Sequence, residues 1–275
     1  MKKITKDKIK TWFVTGASSG VGLEMCNQLL KRGYNVVAVA RRVPQIDGEN
    51  VLCLSVDVTK PQTIKEAIEK AKECFGRIDV LVNNAGISAN ITLEEENLEH
   101  MKKVIETNFF GTFNLLNEFI PFFRENKNGT IINNTSQSGI SARAFGSAYV
   151  SSKHAIEGLT SVCWHETRDF CRVMAFELGF FNGTEILSKM EKKKTEIQEY
   201  KKIPAFYFEY KRNFENDLSI AVKHIIDQVE KEKLPRRLML GKDALIQIGV
   251  EVLYLIIDYI KSIRRALSCA KSKKK

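Results

Sequence analysis

Tyr149 and Lys153, in the stretch Ser147-Ala-Tyr-Val-Ser-Ser-Lys153, have the types and spacing best suited to chemistry in this chain. Thirteen residues before Tyr149 stands Ser136, at the end of the strand-like run Thr130-Ile-Ile-Asn-Asn-Thr-Ser136. A phenol, with an unperturbed pKa of about 10, is a poor base at neutral pH. A lysine four residues along a helix lies on the same face, and its charge favours the phenolate and brings that pKa toward the working range. A nearby serine hydroxyl can hold a substrate oxygen. The three together can move a proton on or off a carbinol. That is half of a redox interconversion, and the other half needs a carrier for the hydride.

The elements that must position such a carrier stand at the front of the chain. Lys10-Thr-Trp-Phe-Val-Thr15 has the pattern of a short buried strand. It runs into Gly16-Ala-Ser-Ser-Gly20-Val-Gly22 and then an amphipathic helix, Leu23 to Lys31, with a second strand at 34–40. A strand, a glycine turn and a helix start form a phosphate cradle: the glycines let backbone N–H groups approach a pyrophosphate, and the helix dipole favours its charge. The glycine spacing is G-x-x-x-G-x-G rather than the commoner G-x-G-x-x-G.

With this turn and the Y-x-x-x-K pair, the chain resembles the short-chain dehydrogenase/reductase family. The likeness continues through Asp57-Val58, Asn83-Asn-Ala-Gly86 and Asn108 within Thr107-Asn-Phe-Phe-Gly111, in the family's order, over roughly residues 10 to 245. The resemblance implies that Gly16, Ser18, Ser19, Gly20 and Val21 contact a dinucleotide. It also implies that Asp57 holds the adenine amino group beside the Val58 backbone, and that Asn84, Ala85 and Gly86 line the adenosine ribose. Asn84 has a structural alternative, tying neighbouring strands together, and both roles can hold. Tyr149 is then the general acid in reduction and the base in oxidation, and it stands against the cofactor. Lys153 lowers the phenol's pKa and hydrogen-bonds the nicotinamide ribose. Ser136, preferred to Ser138 for its spacing, orients the carbonyl, and Asn108 holds a water linking Lys153 to solvent. After the sixth strand the family has Pro-Gly and a threonine four residues beyond the glycine. Here Leu178 replaces the proline, Gly179 remains, and Thr184 arrives one residue late.

The end of the second strand selects the dinucleotide. NAD binders place an acid there for the ribose 2′-hydroxyl. This chain has Ala40, Arg41 and Arg42. A guanidinium pairs bidentately with a 2′-phosphate, so Arg41 points to NADP(H).

At 275 residues the chain can form one large α/β domain with a substantial core. Its net charge of +10 is concentrated in two tails, +4 over residues 1–10 and +7 over 261–275, which leaves the body near neutral. That weakens any reading as a nucleic-acid binder, which needs a basic patch on the folded body. The six cysteines show no C-x-x-C spacing, and no cluster has metal-ligand spacing, so reduced thiols and no metal are expected. The start of the chain lacks the pattern of a signal peptide, and a cytoplasmic protein, membrane-associated at most, is expected.

Strands are expected near 10–15, 34–40, 50–55, 78–82, 129–135, 171–177 and 236–240, and helices near 20–32, 61–75, 97–125, 147–168, 185–202, 216–232 and 243–266. This alternation implies a Rossmann-like, doubly wound parallel sheet with helices on both faces. The family's sheet has seven strands in the order 3-2-1-4-5-6-7. One domain over 10–242 is expected, preceded by a basic tail at 1–9 and carrying a substrate lid at about 185–217. The aromatic run Ala205-Phe-Tyr-Phe-Glu-Tyr210 in that lid suggests a hydrophobic substrate, or else mere packing of the lid.

Residues 243–275 form an amphipathic helix and basic tail. Gln247, Glu251, Tyr254, Asp258, Lys261 and Arg265 make a narrow polar stripe on an otherwise apolar helix. Such a helix is expected to pack on the fold or on another subunit of a homo-oligomer. The sharper alternative is a helix lying on an anionic membrane. The leading functional expectation is an NADP(H)-dependent enzyme interconverting a small-molecule carbonyl and a secondary alcohol. The alternative is a catalytically idle NADP-binding sensor or interaction protein.

Overall fold

The computed structural model describes residues 10–88, 90–179, 181, 195–203, 216–246, 248–249, 252–253 and 256–261. Seven parallel strands form one sheet in the order β3-β2-β1-β4-β5-β6-β7. They are β1 (Thr11–Thr15), β2 (Asn35–Ala40), β3 (Val51–Ser55), β4 (Val80–Asn83), β5 (Thr130–Asn134), β6 (Arg172–Leu178) and β7 (Arg237–Leu240). The α-helices are α1 (Gly20–Lys31), α2 (Pro61–Phe75), α3 (Leu98–Ile105), α4 (Gly111–Glu125), α5 (Ser147–Thr167), the short α6 (Gln198–Lys201) and α7 (Leu218–Glu230).

Alternation along the strands divides the core into two layers. Trp12 and Val14 of β1 face one layer with Met25 and Leu29 of α1 and Val222, Ile225 and Ile226 of α7. Phe13, between them in sequence, faces the other layer with Ile64 and Ile68 of α2, Phe119 and Phe123 of α4, and Cys163 of α5. Each such fully buried side chain contributes about 1.5–3 kcal/mol. Both faces of the central strands are covered, which is why they are continuously apolar. The first layer is closed at its rim by Arg32, whose guanidinium lies 2.8 Å from both Asp227 and Glu230 of α7.

The strands fall where the sequence pattern expects them, within a residue or two. One helix does not. The expected single helix over 97–125 is broken by a π turn at Glu106–Phe110, where the Gly111 N–H donates to the Glu106 carbonyl. Widened turns of this kind occur often at functional sites, and Asn108 lies inside this one.

Leu178 is the last residue of β6, and the following Gly179 N–H donates to the Leu240 carbonyl of β7 at 2.8 Å. A ladder hydrogen bond therefore ties down the exit from β6, where the family's pattern has a proline. Thr184, the lid segments 189–194 and 205–210, the tail residues 1–9 and 262–275 and the stripe residues Gln247, Glu251 and Tyr254 lie outside the described residues. Within the carboxy-terminal segment, Ala244 and Ile248 are buried, but Leu253, Ile256, Tyr259 and Ile260 are 58%, 51%, 69% and 45% exposed. The described part of this helix beyond 250 is therefore not packed on the fold.

Candidate active site

The strand order reverses between β1 and β4, and open α/β sheets bind ligands in the crevice at such a switch point, beyond the carboxyl ends of the strands. Thr15, Asn83 and Asn134 end β1, β4 and β5 on this edge.

At the end of β1 the chain turns through Gly16, whose φ of +67° suits glycine. Gly22 then packs against that turn, because a Cβ added there would lie 2.4 Å from the Gly16 carbonyl oxygen and 2.7 Å from Asn84 Nδ2. Ser19 caps α1 without a side-chain hydrogen bond, so the first N–H groups of the helix have no side-chain cap. Ser18 is exposed, Gly20 opens the helix, and Val21 is buried under it. A close-packed glycine turn before an uncapped helix start fits an anionic diphosphate.

Thr15 fastens this turn to β4. Its Oγ1 donates to the Val82 carbonyl at 3.1 Å and accepts from the N–H groups of Asn84 at 2.9 Å and Ala85 at 3.0 Å. Asn84 Nδ2 donates to the Thr15 carbonyl at 2.9 Å, and Asn84 Oδ1 accepts from Asn134 Nδ2 at 2.8 Å. Asn84 thus has the strand-tying contacts of its structural alternative. Ala85 and Gly86 continue along the crevice, and a Cβ on Gly86 would lie 3.3 Å from Asn108 Oδ1. Arg41 and Arg42 are exposed at the end of β2, where the Arg41 carbonyl accepts from Ser55 Oγ at 2.9 Å. Asp57 Oδ1 accepts from the Thr59 N–H and hydroxyl at 3.1 and 2.8 Å. Val58 is buried, and its carbonyl accepts from Asn114 Nδ2 at 3.0 Å.

The opposite wall is α5. Lys153 is buried, donates to the Asn134 carbonyl at 2.6 Å, and holds its Nζ 5.6 Å from the centroid of the Tyr149 ring. The Ser136 hydroxyl is close enough to the Tyr149 phenol to favour its ionised form, while its Oγ donates to the Leu178 carbonyl at 3.5 Å and accepts from the Ser138 N–H at 3.1 Å. Burial lowers the Lys153 ammonium to about 8, opposed by the charge of Glu157. Burial pushes the Tyr149 phenol up, opposed by the Ser136 hydroxyl and the Arg143 guanidinium. The net direction is upward, contrary to the expectation that the lysine charge would dominate. The reason is that loss of hydration outweighs the favourable neighbours.

Asn108 is fully buried, and its side chain is engaged by protein groups. Oδ1 accepts from the Ile87 N–H at 2.8 Å, while Nδ2 donates to the Ile87 carbonyl at 2.9 Å and to Ser152 Oγ at 3.0 Å. Its link toward Lys153 runs through Ser152, the preceding residue on α5. Gly179 lies at the exit of β6, and Thr184 is outside the described residues.

Sequence reasoning passed over Asn134 and Arg143. A pair of polar residues closing an apolar strand marks Asn134, whereas Arg143, which reaches Asn90 Oδ1 at 3.0 Å, sits in a loop with no periodic signal.

A family model described as short chain dehydrogenase matches residues 10–195. An oxidoreductase of Botryotinia fuckeliana, BOA17, is 30% identical over 246 residues, covering 86% of this chain and 90% of that protein. An NADPH-dependent pterin aldehyde reductase of Arabidopsis thaliana is 34% identical over 188 residues, covering 65% of this chain and 77% of that protein. Among solved structures, a short-chain dehydrogenase from Streptomyces avermitilis superposes with a TM-score of 0.86 at 27% identity, covering 95% of this chain and 98% of that one. Glycine turn, seven-stranded sheet and these matches together make the chain a member of the short-chain dehydrogenase/reductase family, oxidoreductases that work with a nicotinamide cofactor.

Proposed function

We propose that this protein is an NADP(H)-dependent oxidoreductase that interconverts a carbonyl and a secondary alcohol on a hydrophobic substrate. The observation that carries the reading is Lys153 on α5, buried and held to the Asn134 carbonyl at 2.6 Å, with its ammonium 5.6 Å from the Tyr149 phenol ring. In reduction, Tyr149 gives its proton to the carbonyl oxygen while the Ser136 hydroxyl hydrogen-bonds that oxygen and stabilises its developing charge. The Lys153 ammonium then stabilises the phenolate left behind. A phenol held protonated by burial suits the acid's task. A nicotinamide dinucleotide held in the crevice would supply the hydride chemistry.

The turn from Gly16 to Val21, with Asp57, Val58, Asn84, Ala85 and Gly86, would hold the dinucleotide, and Arg41 its 2′-phosphate. Gly179 and Thr184 would border the nicotinamide. The aromatic run at 205–210 favours an apolar substrate.

Loss of NADPH absorbance against a panel of hydrophobic aldehydes and ketones tests the reading, and turnover of at least one is expected. Tight NADPH binding with no turnover of any carbonyl would favour the idle sensor instead.

A second reading concerns the carboxy-terminal helix. Its exposed apolar side chains are followed by the basic residues of 261–275, a combination that suits an anionic lipid surface. No described helix is long and apolar enough to cross a membrane. The full chain is expected to sediment with anionic vesicles and not with neutral ones, and failure with both discards this reading.

A further inference from the structure

Four ionisable side chains meet beneath α5, and the proposed reaction uses only one of them. Glu157 lies one turn beyond Lys153 on the same face of the helix. Both approach Gly139, where an added Cβ would lie 3.0 Å from Glu157 Cγ and 3.0 Å from the Lys153 carbonyl oxygen. Glu157 is 7% exposed, and Glu177 of β6 is fully buried. Both turn their carboxylates to Arg237 of β7, whose Nη2 lies 2.8 Å from Glu157 Oε2 and whose Nη1 lies 2.9 Å from Glu177 Oε1.

Two buried carboxylates therefore share one guanidinium. Fully ionised, the trio carries one negative charge in excess, and a buried charge is costly unless it is balanced. Lys153 is the buried cation one turn back along α5. Tyr149 and Glu157 from its own helix and the uncharged Asn134 carbonyl from β5 face it. Glu157 in turn faces Lys153, Glu177 and Arg237, with Arg236 lining the same shallow surface cavity. Burial drives the ammonium to lose its proton, and the Glu157 charge opposes that loss.

We infer that Glu157, ion-paired with Arg237, is a positioning residue whose carboxylate holds Lys153 in its ammonium form. The inference rests on the catalytic reading of Tyr149 and Lys153. It extends the charge balance of the site across α5 to the edge strand β7.

Lysine ionisation is read directly by NMR of protein labelled with 13C at the lysine ε-carbon, without cofactor or substrate, the Lys153 signal being assigned through Lys153→Arg. Glu157→Gln is expected to lower the Lys153 midpoint by about one pH unit, and Glu157→Asp to restore most of it. Glu177→Gln leaves Arg237 to neutralise Glu157 alone, so it lowers the midpoint by a smaller step. In NADPH-linked reduction, the alkaline limb of kcat/KM moves down with the lysine in Glu157→Gln and returns in Glu157→Asp. An unmoved Lys153 midpoint in folded Glu157→Gln, or in Glu177→Gln should the first variant not fold, overturns the inference. A lysine that shifts while the rate profile stays put overturns the positioning role through the failure of the catalytic reading, with the charge coupling left standing.

Discussion

Around the crevice, the turn after β1 keeps its shape with backbone groups, Thr15 and the amide of Asn84, whereas α5 brings a phenol, an ammonium and a carboxylate to the opposite wall. The first wall is uncharged and limited by contact distance: Gly16, Gly22 and Asn84 leave no room for a methyl group. The second is limited by electrostatics, because its ionisable groups are out of water. Steric errors should therefore damage the first wall, and changes of charge or pH the second.

The largest expected effect lies on the charged wall. Tyr149→Phe removes the proton donor and should cut turnover by about 10²–10⁴-fold, with NADPH affinity nearly intact by fluorescence titration. Substantial residual turnover would take Tyr149 out of the mechanism. Gly22→Ala probes the other wall. The added methyl meets the Gly16 backbone, which cannot swing aside, and overpacking of this kind costs about 1–3 kcal/mol. NADPH affinity should fall by roughly ten- to a hundredfold, and unchanged affinity would mean that the turn is not the cofactor's seat. Arg41→Asp should move the NADPH-to-NADH preference by about tenfold toward NADH, as loss of one charge-assisted hydrogen bond predicts. An unaltered preference in the ratio of kcat/KM values would remove Arg41 from the 2′-phosphate pocket.

The smallest effect concerns stability. Burial brings the Lys153 ammonium down to about 8 in the folded chain, from about 10.5 for a lysine in water. Between these values the unfolded chain binds more protons, so folding stability rises with pH across that window. Lys153→Met, though inactive, should be more stable than the parent below about pH 8 by on the order of 1 kcal/mol, the burial penalty less the hydrogen bond given up to Asn134. The advantage should shrink as pH rises toward 10.5 in urea melts without cofactor. A parent more stable than the variant at pH 7 would contradict the assigned burial cost.

The strands and most helices were legible because apolar runs and glycine punctuation are local signals. The shared face of Tyr149 and Lys153 was legible because residues four apart on one helix lie on the same side. The π turn was not, because Ile105 to Gly111 carries an unbroken helical pattern and the break is tied to tertiary contacts of Asn108 and Gly111. The upward direction of the Tyr149 phenol was not legible either, since burial depends on what packs over a group rather than on its neighbours in sequence. Arg237 and Glu177 escaped for a related reason: their partnership with Glu157 exists only because β6 and β7 pair beneath α5.

Asn134 touches both walls by different parts of itself. Its side-chain amide reaches Asn84 in the nucleotide half, while its main-chain oxygen receives the Lys153 ammonium. Replacing the side chain can loosen the first attachment but cannot delete the second, since every amino acid brings the same carbonyl. Mutational drift at this site can therefore retune the proposed dinucleotide pocket while the lysine keeps its anchor.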